Sequence, residues 1–81
     1  MKKKIVILGS TGSIGKTTFN IIKKNKKDFE IELLTSNKNI NEILKQIKHF
    51  NVKNLIINDK KKYLFIKKKL KNKKINVHNN L

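Results

Sequence analysis

Four apolar residues, Ile5-Val6-Ile7-Leu8, run directly into Gly9-Ser10-Thr11-Gly12-Ser13-Ile14-Gly15, and this join narrows the possible folds more than any other stretch. The apolar run reads as a short strand buried on both faces. The three glycines of the turn are the only ones in 81 residues, so a chain that otherwise avoids glycine asks for backbone freedom here. Beyond the turn the apolar period changes. Ile14, Phe19, Ile22 and, more loosely, Ile21 fall on one side of a helix running to about Asn25. Strand, glycine turn and helix together bring a phosphate against a helix N-terminus, where unpaired N–H groups and about half a positive charge of macrodipole converge.

The rest of the chain repeats the alternation. Phe29-Glu30-Ile31-Glu32-Leu33-Leu34 reads as a second strand, ending at Thr35-Ser36-Asn37-Lys38-Asn39. Asn39 has the character of a helix N-cap, with Glu42 in the capping-box position. Ile40, Ile43, Leu44, Ile47 and Phe50 then carry a helix to about Asn51. Val52 to Asn58 is a third strand, Asp59 a cap for a third helix containing Tyr63, Leu64, Ile66 and Leu70, and Ile75-Asn76-Val77 the start of a fourth strand. Strands alternating with helices predict an α/β fold with a parallel sheet and right-handed crossovers: a Rossmann-like, three-layer βαβαβα half of a doubly wound sheet. Residues 1–81 are read as one dinucleotide-binding domain, incomplete and truncated, with no second domain.

Composition bounds the partners. All 21 basic residues are Lys, against 5 acids, for a formal charge of +16. A nucleic-acid reader is expected to use Arg, whose planar fork pairs bidentately with guanine and phosphate. The lysines, abundant beside Asn and Ile, equally fit an A/T-biased coding preference. Without Cys there is no disulfide and no thiolate metal site. Lys2-Lys3-Lys4 and four apolar residues make too short a secretory segment, and no apolar run approaches the ~20 residues of a membrane span. A soluble, cytoplasmic protein without membrane association is expected. The five acids do not cluster as metal ligands, His49 and Tyr63 read as packing residues, and His78 gives only a weak signal. The chain shows a binding site and no catalytic set.

Two phosphate chemistries fit the turn. Gly15-Lys16-Thr17 supplies the end of a nucleotide-triphosphate P-loop, but Ser10 stands where that motif needs its first glycine. A dinucleotide site reads the adenosine ribose about 20 residues after the glycines, at the end of the second strand. Counting from Gly15 reaches Thr35, followed by Ser36-Asn37-Lys38-Asn39: no acid, and one lysine. That chemistry suits NADP better than NAD. A bare turn, a P-loop-type fragment and a basic nucleic-acid- or membrane-surface-binding remnant stay open as alternatives.

The stretch from Ile7 to Gly15 resembles the N-terminal signature of the 1-deoxy-D-xylulose 5-phosphate reductoisomerase family. The similarity continues through Phe29, the Lys38-Asn39 pair and the strand from Val52-Lys53 to Asp59. It covers almost all of this chain but only the N-terminal portion of a protein several hundred residues long. The resemblance implies an NADP-dependent enzyme of isoprenoid-precursor synthesis by the non-mevalonate route. That enzyme converts 1-deoxy-D-xylulose 5-phosphate to 2-C-methyl-D-erythritol 4-phosphate with NADPH and a divalent metal, Mg²⁺ or Mn²⁺. It implies that Thr11, Gly12, Ser13 and Ile14 line the cofactor pyrophosphate, within a site spanning Gly9, Ser10 and Gly15, and that Lys38 and Asn39 meet the 2′-phosphate. Asn37 stands where the family usually has glycine; asparagine tolerates a left-handed backbone better than most residues. The family's metal ligands and substrate-phosphate residues fall beyond Leu81, so this chain is expected to be inactive alone. A homodimer of the family's kind is not readable from this stretch.

Overall fold

The computed structural model describes residues 2–80. Elements follow one another as β1 (Lys3–Ile7), α1 (Ser13–Lys24), a single 3₁₀ turn (Lys26–Asp28), β2 (Phe29–Ser36), α2 (Ile40–Ile47), β3 (Asn54–Ile57), α3 (Lys60–Lys69) and β4 (Asn76–His78). The four strands form one parallel sheet in the order β1-β2-β3-β4. The α/β class and the parallel sheet are as predicted, and the fourth strand is present.

Local chemistry fixes the helix starts. The Asn39 side chain accepts the Glu42 N–H at 3.3 Å, and the Asp59 carboxylate accepts the Lys62 N–H at 3.0 Å. Each cap satisfies one orphan donor of a first turn. The capping box at α2 is only half made, because the Glu42 carboxylate turns to Lys16, with Nζ to Oε1 at 3.9 Å. That helix also stops at Ile47 rather than near Asn51, although Phe50 and Val52 beyond it still bury their side chains.

The main core cluster lies on one side of the sheet. Ile7, Leu34, Leu55 and Val77 are register partners across the four strands. Ile7, Leu34 and Leu55 of that row share a cluster with Phe19 and Ile22 of α1, Ile43 of α2, and Ile66 and Leu70 at α3, and Val77 packs against it. The neighbouring row, Val6, Leu33, Asn54 and Asn76, faces the other way and grows polar toward β4. Of the three layers expected, the described residues therefore build the sheet and one helical layer.

Two sequence readings change as a result. The first strand is not buried on both faces: Val6 is 52% exposed and Leu8, just past the strand, 67%. An edge strand covered by helices on one side buries only alternate residues. In α1 the buried face is Gly15, Phe19 and Ile22, while Ile14 is 82% exposed and Ile21 also lies outside. The 0, 4, 7 spacing of the buried three follows the helical repeat more closely than the stripe read from the sequence.

Like charge opposes compaction throughout, since 21 lysines face 5 acids. The ion pairs, Lys53 to Glu30 at 3.4 Å and to Glu32 at 3.7 Å among them, are partly exposed and contribute little. Raising ionic strength from about 0.01 M to 0.15 M shortens the screening length from about 30 Å to about 8 Å. The melting midpoint is expected to rise by roughly 5 °C, equivalent to ~1 kcal/mol for a chain of this size. Thermal unfolding followed by circular dichroism at the two salt levels tests this, and a midpoint indifferent to salt counts against self-repulsion as the dominant electrostatic effect.

Candidate functional site

The site is the turn between β1 and α1, at the carboxyl edge of a parallel sheet, where such folds bind their ligands. Gly9 adopts φ +67°, a left-handed backbone that admits glycine freely. Gly15 is needed for a different reason. A Cβ there would meet the Gly9 carbonyl oxygen at 2.1 Å and Ser10 Cα at 2.7 Å, so only glycine lets α1 pack this close to the turn. A Cβ on Gly12 would lie 3.5 Å from the Gly9 oxygen, an ordinary contact.

The turn is tied down from behind. Gly9 N–H donates to Thr35 Oγ1 at 2.7 Å and Ser10 N–H to the Thr35 carbonyl at 2.8 Å. Thr11 Oγ1 and Ser36 Oγ share a hydrogen bond of 2.8 Å. From α2, the Gln46 side-chain amide donates to the Ser10 carbonyl at 2.8 Å. Ser10 is fully buried and Gln46 is 2% exposed, so these groups shape the turn from inside the fold.

On its open side the turn borders a groove of about 540 Å³, lined by Val6, Leu8, Gly9, Gly12, Ser13, Ile14, Gly15 and Thr18. Helix α1 enters this groove with Gly12 as an N-cap that makes no side-chain bond, and with no acid in its first turn. Its first-turn N–H groups thus lack the cap that α2 and α3 each receive. An apolar wall, a run of backbone donors and the positive end of a helix dipole suit an anion carried on a partly apolar ligand.

Of the residues singled out from sequence, Gly9, Gly12, Ser13, Ile14 and Gly15 come together at this groove. The Ser10 side chain points inward, with its hydroxyl 3.4 Å from the Thr35 carbonyl, and the Thr11 hydroxyl is held by Ser36. Asn37, Lys38 and Asn39 are exposed just past β2, at the same edge of the sheet but outside the groove lining. The Asn37 carbonyl accepts the Asp59 N–H at 2.8 Å, and Asn37 keeps a negative φ, so this turn does not use the left-handed geometry considered for it. Asn39 spends its Oδ1 on the α2 cap. Lys16 is absent from the groove lining; its ammonium lies beside Glu42, which removes the lysine a P-loop needs at its phosphates. His49 packs against Phe19, with ring centroids 6.5 Å apart, as a packing residue should.

Sequence reasoning missed the groups that hold the turn: Thr35, Ser36 and Gln46. A signal existed for the last, since Gln46 is a polar residue three positions after Ile43 on the apolar stripe of α2.

Comparison with known proteins places these features in company. Residues 5–80 match the family described as 1-deoxy-D-xylulose 5-phosphate reductoisomerase. The protein of that name from Pelagibacter ubique is 55% identical over 78 residues, covering 96% of this chain and 20% of the relative. Its counterpart from Buchnera aphidicola of Schizaphis graminum is 45% identical over 73 residues, covering 90% and 18%. The chain thus spans about a fifth of the length of the curated relatives it matches. The reductoisomerase of Zymomonas mobilis, solved in complex with NADPH, superposes with a TM-score of 0.88 at 28% identity, over 96% of this chain and 21% of that one. A second solved reductoisomerase, in complex with magnesium, shares the fold with a TM-score of 0.78 at 23% identity, over 96% and 19%.

Proposed function

The chain belongs to the 1-deoxy-D-xylulose 5-phosphate reductoisomerase family, and from that premise we propose that it is the NADPH-binding, N-terminal part of such an enzyme, a single incomplete dinucleotide-binding domain acting in the cytoplasm. The observation that carries this reading is the uncapped N-terminus of α1 opening onto the groove beside the glycine turn. The Zymomonas relative, whose structure holds NADPH, supports it. Among the described residues no helix is long and apolar enough to cross a membrane.

Held at this site, NADPH would supply a hydride for a reduction carried out in the whole enzyme. This chain's residues bind and orient it. The free N–H groups of Thr11, Ser13 and Ile14 would face the pyrophosphate, with Gly12 between them closing the turn onto the Gly9 carbonyl, while Val6, Leu8 and the Ile14 side chain keep an apolar wall beside it. Lys38, free of any ion pair among the described residues, meets the 2′-phosphate. Asn37 and Asn39 flank that contact. The divalent metal of the family has no fit here: the described residues hold no group of three or more His, Cys, Asp or Glu side chains.

Titration with NADPH, NADH and Mg-ATP, followed by nicotinamide fluorescence and ³¹P NMR, tests the reading. Saturable NADPH binding, tighter than NADH, is expected. Tight ATP binding with neither dinucleotide bound would overturn it in favour of a P-loop. Residues 1–81 with 1-deoxy-D-xylulose 5-phosphate, NADPH and Mg²⁺ or Mn²⁺ are expected to leave the reduced nicotinamide unconsumed. Substrate-dependent loss of its absorbance would show that the chain carries chemistry of its own.

A further inference from the structure

We infer that Gln46 is a positioning residue for the dinucleotide: from inside the fold it turns the Ser10–Thr11 peptide so that the Thr11 N–H faces the cofactor pyrophosphate. This rests on the cofactor reading above and adds to it a residue that never touches the ligand. Gln46 is nine-tenths or more buried, lies on α2, and donates its side-chain amide to the Ser10 carbonyl at 2.8 Å. A trans peptide is planar, with its C=O and N–H pointing in opposite directions. Holding the Ser10 carbonyl toward α2 therefore aims the Thr11 N–H away from α2. That N–H makes none of the backbone hydrogen bonds found among the turns of the described residues, whereas its neighbours Ser10 and Gly12 are both bonded, to Thr35 and Gly9. A donor left free between two satisfied ones, in a turn whose other groups are tied down, is available to a ligand.

A second observation separates positioning from packing. The Gln46 Oε1 atom is buried with no hydrogen-bond partner among the described residues. An amide that makes one bond and strands its oxygen is a poor choice for stability, since an apolar side chain of the same shape would strand nothing at that atom. Reversing the amide gives no relief, because the nitrogen would lose Ser10 and place the oxygen against another carbonyl. The side chain is there for the bond it makes.

The test compares the unsubstituted chain with Gln46→Met, which keeps the volume and removes the donor. NADPH and NADH are titrated at a temperature where near-ultraviolet circular dichroism shows each protein fully folded. Roughly tenfold weaker binding is expected, equal for the two cofactors, because the pyrophosphate is common to both. In ¹⁵N NMR of the unsubstituted chain, either cofactor should shift the Gln46 side-chain amide together with the Thr11 N–H. A folded Gln46→Met with unchanged affinity overturns the inference and leaves the cofactor reading standing. If that variant does not fold, the NMR arm decides: a Thr11 N–H unmoved by bound NADPH overturns it just as well. Failure of the unsubstituted chain to bind either dinucleotide sinks both readings together.

Discussion

Gly15→Ala is expected to cost the chain most of its cooperative fold. The added methyl would sit 2.1 Å from the Gly9 carbonyl oxygen and 2.9 Å from its carbon. Both are backbone atoms of a turn held by Thr35, so neither can swing aside as a long side chain would. Overpacking of this kind costs about 1–3 kcal/mol and sometimes more. Alanine is meanwhile the better helix former by about 1 kcal/mol, which offsets only part of a clash with fixed backbone atoms. With 4–8 °C per kcal/mol for a domain of this size, a net loss of ~2 kcal/mol lowers the midpoint by roughly 8–16 °C. Gly12→Ala is the control. Its methyl finds an ordinary contact, so stability should change by less than about 0.5 kcal/mol. It stands on the groove wall, however, and should weaken NADPH. Melting curves and cofactor titrations of both variants separate the two roles, and a Gly15→Ala chain that melts like its parent would mean the turn and α1 are not so closely packed.

The second large effect concerns two lysines. Lys38→Ala is expected to weaken NADPH about tenfold, ~1.4 kcal/mol, and to leave NADH nearly untouched. A charge-assisted contact is worth roughly 1.5–3 kcal/mol, and the exposed position of Lys38 places it at the low end. Lys16→Ala should change little for either cofactor, because its ammonium lies beside Glu42 rather than at the groove. A P-loop would reverse the pattern, with Lys16 essential for Mg-ATP and Lys38 irrelevant. Equal loss of NADPH and NADH on removing Lys38 would end the charge-based argument for NADP.

What the sequence could show follows from the reach of each interaction. The caps at Asn39 and Asp59 were legible because a side chain and its backbone partner lie three residues apart. The glycine turn was legible because Gly9 and Gly15 meet geometric demands within one loop. The exposure of Val6 and Leu8 was not, since an apolar run reads alike in a central and an edge strand, and only strand order distinguishes them. Nor was Gln46 legible as a partner of the turn. Its bond spans 36 residues, and nothing in the period of α2 says what lies opposite it.

Those long spans also set when the site can exist. Thr35 and Ser36 reach the turn across 25 or 26 residues and Gln46 across 36. A ribosome adding about 5–20 residues per second releases the turn roughly two to seven seconds before Gln46 follows it. During that interval the signature is present as sequence but not as a binding surface, so the cofactor has nothing to template. On the proposed reading, NADPH would be recognised only by a chain in which β2 has paired and α2 has docked. An interaction absent from the early folding steps slows unfolding without hastening folding. NADPH should therefore act on this domain as a brake on its opening rather than as a nucleus for its assembly.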